Sequence, residues 1–178
     1  MTDLNNDQMS MSDFIFGTLA TDELRVQQII TARSGLAHEQ RNLPRDPQPG
    51  TSVQIELTAG PNAPITAAFV HVTDDGSQPD LDNPQTITLP MTRGETRWDT
   101  LLWSYVDTYT AELPPQFDGT LVRYRLSGLT PDGQRLWVSG NYGERETFSY
   151  NVDTRTVPAW VRDAVIYHIF MDRFAADP

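Results

Sequence analysis

Between Val53 and Val152 the chain is cut into short segments of alternating apolar and polar residues, separated by glycine, proline, asparagine and aspartate. Successive side chains of a strand point to opposite faces, so this pattern buries one face and wets the other. It is the pattern of an antiparallel sandwich or barrel. Val53, Ile55 and Leu57 alternate with Gln54, Glu56 and Thr58, and Gly60 to Pro64 makes a turn. Ile65 to Thr73 is apolar on both faces, as a central strand is. Ile87, Leu89 and Met91 form a further segment, after which Arg93-Gly94-Glu95 reads as a turn. Val122, Tyr124 and Leu126 alternate with Arg123, Arg125 and Ser127, and Pro131-Asp132-Gly133 has hairpin chemistry. Leu136 with Val138, and Phe148, Tyr150 with Val152, complete seven to eight strands. Seven short strands in about 100 residues are the dimensions of an immunoglobulin-like β-sandwich.

The longest run, Trp98 to Leu113, puts Leu101, Trp103, Tyr105, Tyr109, Ala111 and Leu113 on one face, interrupted by Asp107. A β-bulge or an edge position near Asp107 accommodates the charge, since one extra residue flips the alternation. The flanks differ. Residues 1–20 read as a flexible leader, polar and without periodicity over 1–12. Residues 21–35 form an extension in which Val26, Ile29 and Ile30 have helical spacing while their β-branching fits a strand equally well. Prolines 44, 47 and 49 make an extended or turning link into the sandwich, which occupies 36–153. Residues 154–178 are a linker and then a continuous apolar run, Val165 to Phe170, as in a parallel strand buried on both faces.

Composition narrows the partners. With 24 acidic and 13 basic residues the net charge is −11, which repels phosphate backbones and anionic membranes and leaves a neutral ligand untouched. No nucleic-acid or membrane partner is expected. There is no cysteine, so neither a disulfide framework nor a thiolate metal site exists. His38, His71 and His168 have no partner at metal-ligand spacing and read as structural. Asp74-Asp75-Gly76 and Asp80 with Asp82 lack the downstream bidentate glutamate of a calcium loop and read as solvated turns. The acidic N-terminus resembles no secretory signal, which gives a cytoplasmic expectation.

Sugar-binding surfaces stack flat rings on pyranose faces. Trp103 and Tyr105 are expected in the core, on the apolar face of their long strand. Trp137 alternates against Leu136 and Val138 and so points outward, and Tyr142 lies in a Gly-Asn-Tyr-Gly loop. Trp137, Tyr142 and Trp98 are the candidate substrate-binding residues.

The stretch Pro158-Ala159-Trp160-Val161-Arg162-Asp163-Ala164-Val165-Ile166-Tyr167-His168-Ile169-Phe170-Met171-Asp172-Arg173-Phe174 resembles the entry to the catalytic barrel of the alpha-amylase family, glycoside hydrolase family 13. Trp98-Asp99-Thr100-Leu101-Leu102-Trp103, the Leu113-Pro114-Pro115 stop and Val122-Arg123-Tyr124-Arg125 are similar to the sandwich domains that precede that barrel. The resemblance implies a non-catalytic N-terminal domain, followed by the first strand of a (β/α)8 barrel that cleaves or transfers α-glucosidic bonds with two carboxyl groups and retention of configuration. Those carboxyls belong to later barrel strands, so no residue here is assigned as catalytic. Family members bind calcium after the first strand through oxygen ligands. Asp177 falls where one ligand sits, but Ala175-Ala176 replace the expected asparagine motif, so no cofactor is expected in these residues and calcium belongs to the longer enzyme. The expected partners are α-glucan, the chain's own barrel and a second copy, with 159–178 docking its apolar side chains on the sandwich or on that copy. An independent α-glucan-binding module and an unrelated immunoglobulin-like or fibronectin-like scaffold remain open alternatives.

Overall fold

The computed structural model describes residues 22–39, 42–139, 145–155, 158, 160, 161, 164 and 165. Asp22–Ser34 is helix α1, so the extension that the sequence left between helix and strand is helical. Its apolar side chains Leu24, Val26 and Ile29 are largely exposed. The helix is held by its C-terminal turn, where Gly60 N–H donates to the Gly35 carbonyl (2.8 Å) and Asn62 N–H to that of Ser34 (2.7 Å). A Cβ on Gly60 would run into the Arg33 carbonyl oxygen, so only glycine permits this approach. No helix among the described residues is long and apolar enough to cross a membrane.

Among the described residues nine strands follow: β1 (Leu36–Ala37), β2 (Asn42–Leu43), β3 (Val53–Ala59), β4 (Ala67–Thr73), β5 (Ile87–Asp99), β6 (Ser104–Leu113), β7 (Leu121–Leu129), β8 (Arg135–Trp137) and β9 (Phe148–Asn151). All pairings are antiparallel, in the order β1-β3-β6-β5-β4-β7-β8, with β2 also on β3 and β9 also on β7. The result is an all-β, sandwich-like domain whose two layers are joined by one strand. The first half of β5 pairs with β4 (Met91 opposite Ala68) and the second half with β6 (Trp98 opposite Tyr105). Ile55 and Leu57 from one layer and Val70, Tyr124 and Leu126 from the other centre the core, all essentially inaccessible. The outward residues of β3 alternate with them as the sequence requires.

Two readings of this region change. Arg93-Gly94-Glu95 is no turn but a bulge inside β5: Arg93 opposes Tyr109 and Thr96 opposes Asp107, so β5 carries one extra residue there. The expected irregularity near Asp107 therefore exists, on the facing strand. The chain reverses instead at 100–103, and the run from Trp98 to Leu113 is the end of β5, a turn and β6.

The ends of the sandwich differ in what they carry. Leu113, Gln116, Val122 and Tyr150 meet around a small cavity at one end, where Val152 N–H donates to the Thr120 carbonyl as the chain leaves β9. The turn after β5 projects from the other end, past the loop in which Ile65 accepts a hydrogen bond from the Tyr109 hydroxyl (3.3 Å). Of the C-terminal stretch, Trp160 and Val165 are exposed. The rest of the expected barrel strand, with Ile166, Ile169 and Phe170, lies outside the described residues, as do His168 and Asp177.

Candidate functional site

The β5–β6 hairpin extends beyond the core. On β6, Leu113, Ala111 and Tyr109 are buried, and the same face continues through Asp107 to Tyr105 after the core has ended. Asp107 marks the boundary. Its carboxylate accepts hydrogen bonds from Arg93 Nη2 (2.7 Å) and Thr96 Oγ1 (2.5 Å), which hold it below the usual carboxylate range. Past this polar plug come three rings. Trp98 and its cross-strand partner Tyr105 meet edge to face (centroids 5.1 Å, 74°), and Trp103 meets Trp98 likewise (6.3 Å, 89°). Trp98, Tyr105 and Trp103 are 46%, 65% and 82% exposed. Trp103 and Tyr105, expected in the core from the alternation, are thus surface residues, because Trp103 lies in the turn and β6 at Tyr105 outruns the layer that would have covered it.

One side chain builds the turn that presents the rings. Asp99 Oδ1 accepts the amides of Leu101 (2.8 Å) and Leu102 (3.1 Å), and Oδ2 receives Arg33 Nη1 (3.4 Å) from helix α1. The Leu102 amide is the main influence holding the Asp99 carboxyl below its ordinary range, with the Leu101 amide and Arg33 adding to it. Trp103 closes the turn at φ 49°, in the left-handed region. A non-glycine residue there costs about 1 kcal/mol or more.

The other two candidate sites stand differently. Trp137 lies on the face opposite Val138, as its alternation requires, but it is only half-exposed. Arg145 covers its ring at 4.7 Å and Arg135 approaches at 5.9 Å, while His71 lies 5.0 Å away. Cations already occupy the π-face that a sugar would need. Tyr142 lies outside the described residues. Beneath Trp137, His71 is fully buried, with Thr88 Oγ1 2.9 Å from Nδ1 and Ser127 Oγ 2.8 Å from Nε2. Arg135 Nη1 donates to Ser127 Oγ (2.7 Å), so the serine is bonded to the arginine and the imidazole together. Burial, reinforced by the Arg135 charge, pushes His71 down to about 4.

Among the described residues no three His, Asp or Glu side chains are grouped to hold a metal ion. The carboxyls nearest the rings, Asp99 and Asp107, are both stabilised as anions, the reverse of what a general acid needs. A second concavity, about 710 Å³, lies between α1 and the edges of β1 and β8, lined by Gln27, Thr31, Leu36, His38, Leu136 and Val138 among others. Trp137 and the His38 ring are the aromatic side chains of its lining.

The fold and tip define an antiparallel β-domain with an aromatic projection. No protein-family model matches the chain. Over 169 residues, 95% of this chain, it is 24% identical to Alpha-amylase 2 of Dictyoglomus thermophilum, and it spans only 26% of that protein's length. Among solved structures it is similar to a cycloalternan-forming enzyme from Listeria monocytogenes in complex with a pentasaccharide substrate (18% identity, 66% of this chain and 10% of that one, TM-score 0.48). It is also similar to a cycloalternan-degrading enzyme from Trueperella pyogenes (15% identity, 64% and 17%, TM-score 0.44). The resemblance to alpha-amylases thus covers almost the whole chain and not residues 158–174 alone.

Proposed function

We propose that this chain is a non-catalytic β-domain of a longer alpha-amylase-type enzyme that hydrolyses or transfers α-glucosidic bonds. The observation that carries this reading is the match to an alpha-amylase over 95% of the chain but 26% of the relative. The barrel-entry motif from Pro158 to Phe174 agrees with it. On this reading the two reacting carboxyls and any calcium belong to the barrel, the family's retaining chemistry is performed there, and the β-domain positions substrate or contacts a second copy. Asp99 and Asp107, both committed to hydrogen bonds, suit such a supporting part.

Reducing-sugar release from starch, maltodextrin and pullulan tests it directly. The 178-residue chain is expected to release none, while a longer product of the same gene cleaves or transfers α-glucosidic linkages. Hydrolysis by the 178 residues alone, or a stop codon directly after Pro178, would overturn the proposal.

A further inference from the structure

We propose that the tip of the β5–β6 hairpin binds a coiled α-linked glucan chain, with Trp103 as its principal stacking ring and Trp98 and Tyr105 as flanking facets. The inference rests on the reading of the domain as part of a glucan-processing enzyme and adds the surface through which it meets its polymer.

Four observations carry it. The first is cost without structural return: none of the three rings joins the hydrophobic core, and Trp103 occupies a left-handed backbone position. A small residue there would avoid both the strain and the exposed ring. The second is size. Side chains of this kind present about 150–250 Å² each, so at their observed exposures the three offer roughly 400 Å². A stable protein interface needs about 800 Å² per partner, whereas this area suits two or three glucose rings. The third is charge. At −11 per chain two copies repel, while a neutral sugar feels no such penalty.

The fourth is shape. The rings do not form one plane: Trp98 stands at 89° to Trp103 and 74° to Tyr105. A β-1,4-linked chain is a flat ribbon and wants coplanar rings. An α-1,4-linked chain turns at every linkage, so successive pyranose faces look in different directions, as these facets do. The same turn carries polar groups able to meet hydroxyls, Ser104 and the Asp99 carboxylate.

Tryptophan fluorescence of the 178-residue chain, titrated with maltoheptaose and with cellohexaose, tests the assignment. Saturable quenching by maltoheptaose at millimolar concentration is expected, at least tenfold weaker with cellohexaose. Trp103→Gly, which relieves the backbone, should fold normally by circular dichroism and weaken maltoheptaose at least tenfold. Tyr105→Ser should weaken it by a smaller factor, and Trp137→Phe should leave it unchanged. No saturable signal, equal affinity for the two sugars, or binding that survives Trp103→Gly overturns the proposal. So does sedimentation showing a dimer that Trp103→Gly dissociates, which would make a second copy the occupant. Turnover by the longer enzyme is a separate measurement, so either reading can fail without the other.

Discussion

His71 couples the outer face of the β4–β7 layer to pH. In the unfolded chain a histidine takes up a proton near pH 6.5, whereas the buried ring does so only near 4. Between these values the unfolded state binds a proton that the native state refuses, so the contribution is complete above 6.5 and is lost as pH falls towards 4. The shift corresponds to an effect on the order of 2–3 kcal/mol. Urea midpoints at pH 7 and pH 5 should therefore differ more for the parent than for His71→Asn, which is less stable at pH 7 and has the flatter profile. Equal pH slopes for the two would remove His71 as the cause.

At the scale of elements, the joint between α1 and β3 depends on the missing side chain of Gly60. The obstacle to a Cβ there is backbone, the Arg33 carbonyl and Ser34, which cannot rotate aside. Gly60→Ala is expected to cost about 2 kcal/mol or more and to expose the amides of Gly60 and Asn62 to hydrogen exchange, with those of β4 and β7 still protected. Unchanged exchange at those two amides would mean that the helix is held elsewhere. The joint also bears on the aromatic tip, since Arg33, in the same turn, reaches Asp99.

Much of this was legible in the sequence, and the misreadings have physical causes. Alternation located β3, the first part of β5, β7, β8 and β9, a run apolar on both faces located β4, and alternation grouped Tyr105 with Tyr109, Ala111 and Leu113. It cannot say where along a face the opposing layer stops. The charge of Asp107 is the signal that the core has ended, where the sequence alone indicates a bulge or an edge position. Arg93-Gly94-Glu95 looked like a turn because of its glycine, yet Gly94 answers to the closeness of Thr108, whose Oγ1 would lie 3.0 Å from a Cβ there. The actual turn is built by the Asp99 side chain, which propensity does not reveal. Trp137 points outward as read, but the arginines on its ring come from β8 itself and from Arg145, eight residues on, and only folding brings the second one back.

Considered whole, the domain is a single cooperative unit because β5 is a member of both layers. Neither can lose its pairing with β5 without disturbing the other. Far-UV circular dichroism and tryptophan fluorescence should therefore report coincident urea transitions, both in Trp137→Phe/Trp160→Phe, which reports the tip, and in Trp98→Phe/Trp103→Phe/Trp160→Phe, which reports β8. Separate midpoints would show that the layers melt independently. The ends of that unit set a scale of another kind. The chain leaves β9 beside Thr120, while the rings stand at the far end of β6, a separation of roughly 30 Å for a ten-residue strand. A short oligosaccharide held at the rings cannot also lie where the chain departs; a polymer can. If the rings hold the glucan proposed above, the domain is an outrigger that discriminates by contour length, favouring ligands long enough to be in two places at once.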